Sequence, residues 1–323
     1  MIANAAKATL LFVPLFLSAA LASPTEAAQN MLAAGRADDA ISALTQQISS
    51  APQDAEAYNL LCRAYYSFGN WDAGISACEK AVALQGDNSG YHLWLARAYG
   101  EKADSSNFLV AAPLAKKVRT EFERAVQLSP DRIDARTDLA EFYLEAPAIV
   151  GGGEDKARAQ ADVLARLAPA KAHWVNGRIA EKQKDPARAE SEYRAAIAVT
   201  QGDAESWLNL ALFFRHVGRL DDMEAAVQHT SLAPLRQPDA LVDGADTLIR
   251  GGRNFPLAIQ LLQRYLDSGG TVEAAPAFRA HYLLGSVFEK QGDKSAAAAH
   301  YRAALALAKN YARARAGLER VSK

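Results

Sequence analysis

Cysteine is nearly missing from this chain: there are two among 323 residues, Cys62 and Cys78. Two sulfurs so far apart in sequence make neither a C-x-x-C redox pair nor a zinc cluster. Charge imbalance is missing as well. Lys and Arg number 36 against 37 Asp and Glu, a formal charge of -1, so nothing favours a nucleic-acid backbone as partner. The six histidines, His92, His173, His216, His229, His281 and His300, form no H-E-x-x-H or other short metal spacing, and no G-x-S-x-G occurs. Acidic residues are scattered, as on solvated helix faces. No metal, cofactor or enzyme activity is expected; only residues distant in sequence could converge into a catalytic site.

Apolar runs are short everywhere but at the N-terminus. There MIANAAKATLLFVPLFLSAALASP carries Lys7, an apolar stretch from Ala8 to Leu17, and the small-residue site Ala20-Leu21-Ala22. This is the pattern of a secretory signal over residues 1–22, cleaved before Ser23. The stretch is shorter than the ~20 residues of a spanning helix, and Pro14 interrupts it. With no cysteine at the cleavage site a lipoprotein is not indicated. The expectation is an exported chain, periplasmic or secreted, with no membrane span after cleavage.

Three glycines run together once, in IVGGGEDK at residues 149–156. A phosphate-cradling loop needs G-x-x-x-x-G-K-[ST] after a buried strand. Here Lys156 comes third after the last glycine, Ala157 follows it, and Glu154 and Asp155 already occupy the favourable helix N-terminus. These residues read as a break between two helices.

What the chain has in quantity is a period. EAYNLLCRAYYSFGNWDAGISACEKAVAL, ESWLNLALFFRHVGRLDDMEAAVQHTSLAP and HYLLGSVFEKQGDKSAAAAHYRAALALAKN share one plan. In the first copy it is carried by Tyr58, Leu61, Cys62, Tyr65, Gly69, Gly74, Cys78 and Ala81; near residue 281 by His281, Leu284, Gly285, Phe288, Gly292, Ala297, Tyr301 and Ala304. Spacings of three and four put them on one helical stripe, small residues allow close approach, and a glycine ends the first helix. One hairpin cannot bury its stripe alone, so neighbours must stack. This grammar resembles the tetratricopeptide repeat, whose units have about 34 residues, with copies beginning near 21, 55, 89, 133, 170, 204, 239 and 278. The resemblance implies an all-α fold, a right-handed superhelical solenoid of stacked antiparallel helix hairpins. It would fill residues 23–323 with about eight hairpins and a C-terminal capping helix from YARARAGLERVSK. Extended connections are expected near 101–118 and 145–155, and Asp246 departs from the family pattern.

In that family the first helix of each unit lines the concave surface. The matching positions here include Asn59, Arg63, Tyr66, Leu93, Arg97, Trp174, Arg178, Leu208, Arg215 and Tyr282. Arg63, Arg97, Arg178 and Arg215 beside Trp174 and Tyr282 would suit a protein or peptide segment bearing carboxylates. The plain alternative is that such arginines are neutralised by Glu141 and Glu181. The expected function is an interaction scaffold or adaptor; a glycan- or peptidoglycan-associated accessory protein is the alternative. Phe108, Leu109 and Val110, then Pro113 and Leu114, could be a second contact or pack back on the solenoid. Tyr65, Tyr99, Tyr143 and Phe214 close hairpins and belong to the core. Cys62 and Cys78 take facing positions of one hairpin, as a disulfide or as two buried thiols.

Overall fold

A computed structural model describes residues 23–234, 238–269 and 271–323; the signal segment 1–22 lies outside them. The helices run in antiparallel pairs: α1 (Pro24–Ala33) with α2 (Ala37–Ser50), α3 (Ala55–Ser67) with α4 (Trp71–Leu84), α5 (Ser89–Asp104) with α6 (Phe108–Leu128), and α7 (Ile133–Glu145) with α8 (Glu154–Leu167). Then come α9 (Pro169–Lys182) with α10 (Pro186–Thr200), α11 (Ala204–His216) with α12 (Leu220–Leu232), α13 (Asp239–Gly251) with α14 (Phe255–Asp267), and α15 (Ala277–Gln291) with α16 (Lys294–Leu307). The last helix is α17 (Ala312–Val321). The fold is an all-α solenoid. No described helix is long and apolar enough to cross a membrane.

Local chemistry sets the boundaries. Asp54, Asn70, Asn88, Asn107, Asp185, Asp203, Asn254 and Asp293 each accept a backbone N–H of the helix that follows, satisfying donors the helix cannot satisfy itself. Gly69 and Gly292 turn the chain at positive φ between the two helices of their hairpins. Small residues then let the helices close up. A Cβ on Gly285 would stand 2.6 Å from the Tyr301 ring, and one on Gly177 2.8 Å from Tyr193. Each ring fills the space that its glycine leaves.

Two expectations change. The extra residues near 101–118 are not an extended connection. They lengthen α5 and α6 to 16 and 21 residues, leaving only residues 105–107 between them. Asn107 caps α6, and Pro113 lies inside it without ending it. Asp246 also changes role. Ala245 is buried in the core of α13, while Asp246 turns outward to pair with Arg250. The small position of this unit falls one residue earlier than the spacing places it.

The glycine stretch forms the loop of the fourth hairpin. Residues 148–150 make one 3-10 turn, Gly151 has φ +103, and a Cβ on Gly152 would lie 1.7 Å from the Ala146 carbonyl oxygen. Lys156 donates to the Gly151 carbonyl at 2.9 Å and lies 5.4 Å from the Tyr143 ring centroid. The lysine secures the loop to its own helix.

The two ends of the solenoid meet. Gly35, between α1 and α2, comes so close to α15 that a Cβ there would be 2.5 Å from the Ala277 nitrogen. The Lys309 N–H donates to Asp38 at 2.7 Å. Arg63 of α3 grips Glu273, in the connection before α15, through two hydrogen bonds, one of them 2.8 Å. Ala37 and Phe68 share an apolar cluster with Phe278, Tyr301 and Tyr311.

Candidate interaction surface

Odd-numbered helices touch the odd-numbered helix of the next unit at most junctions, α3 with α5 and α7 with α9 among them. They form the tighter, concave side. Their polar side chains are linked from unit to unit: Arg97 with Asp138 at 2.7 Å, Arg178 with Glu141 at 3.0 Å and Glu145 at 2.9 Å, Lys171 with Glu205, and Arg279 with Asp243 at 2.6 Å. Tyr66 donates to Glu101.

The ten residues singled out by position therefore divide. Arg63, Arg97 and Arg178 are all engaged by carboxylates of this chain, the plain alternative weighed for them. Arg215 has no carboxylate within 4 Å among the described residues; burial and then Arg250 hold its pKa below the ordinary value. Asn59 is only 4 % exposed, and its side-chain oxygen is buried without a partner. Tyr66 stacks edge-on against Trp71 and Trp94, each 5.4 Å away. Trp174 is half-buried with the Arg178 guanidinium 5.6 Å from its ring centroid. Tyr282 packs against Tyr301 and Tyr311. Leu93 and Leu208 are buried rather than on the concave surface, since their side chains turn into the packing between units.

Sequence reasoning missed Trp94. Its ring lies between two guanidinium groups, Arg63 at 5.2 Å and Arg97 at 4.8 Å from the centroid, a contact that holds both arginines in place. Its place three residues before Arg97 was the available signal.

A depression of about 670 Å³ lies between the third and fourth hairpins. Phe108, Ala111, Ala115 and Phe142 give it an apolar side; Glu101, Asp104 and Glu145 give it an acidic one. Phe108 is 68 % exposed, Leu109 83 % and Ile149, on the neighbouring loop, 78 %. Of the insertion, Phe108, Leu109 and Val110 stay exposed, whereas Leu114 packs back against the core. Another depression, about 370 Å³, lies between α13, α15 and α17, where Arg250, Arg279, Lys290 and Arg313 outnumber Asp246.

Models of the tetratricopeptide repeat match residues 31–98, 175–228 and 242–314, which together take in more than half of the chain. The chain is a tetratricopeptide repeat protein. No curated protein matches it. Among solved structures, yeast Tom70 is similar with a TM-score of 0.55 at 13% identity, covering 98% of this chain and 67% of that one. A tetratricopeptide repeat protein of Thermus thermophilus gives 0.43 at 18% identity over 70% of this chain and 97% of its own. The Cut9–Hcn1 assembly of APC/C gives 0.42 at 16%; this chain spans 93% of itself but only 55% of that one. The likeness to Tom70 shows the fold.

Histidines of the tetratricopeptide units serve packing. His92 is buried between Glu121, 2.5 Å from Nδ1, and the Gly86 carbonyl. Burial works against its proton, yet those two bonds raise its pKa above the ordinary value. His281 and His300 meet Nδ1 to Nδ1 at 3.2 Å, with Phe288 stacked on His300. Burial lowers both pKa values, and for His281 the neighbouring His300 lowers it further. The neutral pair is thus the folded form. Its stability is complete above the ordinary histidine value near 6.5 and is lost as pH falls toward the depressed ones, while the His92 contribution runs the other way. Lowering the buffer from about pH 7.5 to about pH 5.5 should depress the melting midpoint of wild type more than that of His281→Asn/His300→Asn. Equal depression in both would dismiss the pair as its cause. Among the described residues no group of three or more His, Cys, Asp or Glu is placed to hold a metal.

Proposed function

We propose that this chain is a non-catalytic interaction scaffold, exported to the periplasm or secreted, that holds a segment of a partner protein in the concave depression between its third and fourth hairpins. The observation that carries this reading is the depression itself. Its apolar side continues outward into the exposed Phe108, Leu109 and Ile149, and an exposed apolar group rimmed by charge is a mark of a protein contact. Tetratricopeptide repeats generally serve as protein-binding scaffolds, and the extra turns of α5 and α6 build a wall that the other hairpins lack. A sulfur pair bonded between α3 and α4 suits an oxidising compartment, as does the signal pattern at residues 1–22. Sugar binding has less to recommend it, because the Trp174 ring is taken up by Arg178 and by the surrounding core.

Crosslinking in cells with tagged wild type and with Phe108→Ser/Leu109→Ser/Ile149→Ser tests the reading. All three side chains are exposed, so the variant should fold. A protein captured by wild type and at least about tenfold depleted in the variant is the expected outcome. Undiminished capture would move the contact elsewhere on the solenoid. The mass of the exported protein should correspond to a chain beginning at Ser23; an intact N-terminus on all exported molecules would contradict the signal assignment.

A further inference from the structure

We infer that the depression between the third and fourth hairpins takes a cationic segment, one in which lysine or arginine flanks a bulky apolar side chain. The inference rests on the scaffold reading above and names its partner's chemistry. It reverses the sign of partner expected from the four arginines.

Charge balance carries the argument. Glu101, Asp104, Asp138, Glu141 and Glu145 line the depression against one cation, Arg97. Arg97 is already bonded to Asp138, and Arg178, just beyond, is shared between Glu141 and Glu145. Of the other cations nearby, Lys102 goes to Asp72, Lys182 reaches Glu145 only at 3.5 Å, and Arg313 of α17 offsets the Glu101 charge in part without pairing with it. Among the described residues Glu101 and Asp104 have no cation within 4 Å, and Glu101 is bonded only to the Tyr66 hydroxyl. Burial, and then Asp104, hold the Glu101 carboxyl above its ordinary range; burial does the same to Asp138 even beside Arg97. Negative charge is crowded here, and an arriving cation would relieve it.

The other side of the depression fixes the rest of the ligand. Phe108, Ala111 and Ala115 of α6 give the depression apolar surface, whereas its carboxylates come from α5 and α7; Phe142 of α7 adds an apolar ring among them. A segment must therefore offer an apolar side chain toward α6 while its cationic heads reach α5 and α7. An acidic segment would meet repulsion from Glu101 and Asp104, the two carboxylates without a cation within 4 Å among the described residues. Its natural place is the depression between α13, α15 and α17, where Lys290 and Arg313 have no carboxylate within 4 Å among the described residues.

Fluorescence anisotropy decides this with three labelled peptides of about twelve residues: lysine alternating with leucine and phenylalanine, the same with glutamate for lysine, and the same with serine for the apolar residues. The lysine peptide should bind mature wild type best and weaken several-fold as salt rises from about 0.05 M to about 0.5 M. Glu101→Gln/Asp104→Asn and Phe108→Ala should each weaken it about tenfold, with unchanged circular dichroism. Binding of the lysine peptide that ignores all three substitutions overturns the inference. So does binding of no peptide at all. If the glutamate peptide binds instead and is lost with Lys290→Ala/Arg313→Ala, the inference falls while the scaffold reading stands. Self-association in light scattering, abolished by Phe108→Ala, would make a second copy of the chain the occupant and likewise overturn it.

Discussion

Tyr301→Ala should destabilise the C-terminal third by about 4 kcal/mol, the cost of a large buried ring replaced by a cavity. Tyr301 is fully buried in α16 and touches both α15 and α17. Its ring fills the space left by Gly285 of α15 and by Gly317 of α17, where added Cβ atoms would stand 2.6 Å and 2.4 Å from it. Its hydroxyl donates to Glu289 at 2.5 Å. Removing the ring therefore unseats the capping helix as well as loosening the hairpin. Tyr301→Phe keeps the packing and loses only the hydroxyl bond, and Glu289 retains two bonds from Arg320 at 2.8 Å and 2.9 Å. That variant should cost about 1 kcal/mol. Chemical denaturation followed by circular dichroism gives the magnitudes, and hydrogen exchange across 312–321 reports the cap. A Tyr301→Ala protein within about 1 kcal/mol of wild type, with its cap still protected, would refute this account of the C-terminal packing.

Reduction of the Cys62–Cys78 bond is expected to cost about 3 kcal/mol, the chain entropy restored when a loop of about fifteen residues is opened in the unfolded state. The two sulfurs join α3 to α4 across the hairpin, with 5.2 Å between the Cα atoms, and both side chains are fully buried. Reductant should barely reach the bond in the folded protein. It should lower the unfolding midpoint only as the N-terminal hairpins open, and Cys62→Ala/Cys78→Ala should reproduce the loss without reductant. Arg63 follows Cys62 on α3, so its grip on Glu273 should weaken in parallel. Thiol titration of unfolded, unreduced protein supplies the decisive check: two free thiols would mean that the bond does not form.

Hairpin architecture could be read from the chain because each unit repeats its own small and aromatic residues at helical spacing. Gly285 opposite Tyr301 and Cys62 opposite Cys78 are legible from spacing alone. The long third hairpin was not. Ser105, Ser106, Asn107 and Pro113 look like loop chemistry, but Asn107 acts as a cap and Pro113 is carried within a 21-residue helix by packing at Val118 and Phe122. The concave arginines were placed correctly on their helices, yet their state was hidden. The partners of Arg97 and Arg178 lie in neighbouring units, and Glu273 lies 210 residues from Arg63. No local pattern announces a pairing at that distance. For the same reason the surplus carboxylates around Glu101 become visible only after each arginine has been assigned.

Contact between Gly35 and Ala277, together with the Asp38–Lys309 and Arg63–Glu273 bonds, alters how such an array should come apart. A linear stack frays, because each terminal unit has one neighbour and melts before the middle. Here the first and last units are each other's second neighbour, so the stack has no free terminus from which melting can spread inward. Damage at one end is felt at the other. Trimming α17 should expose α1 and α2 to proteolysis although they lie at the opposite end of the sequence, and cooperativity ordinarily confined to adjacent repeats extends around the whole circle.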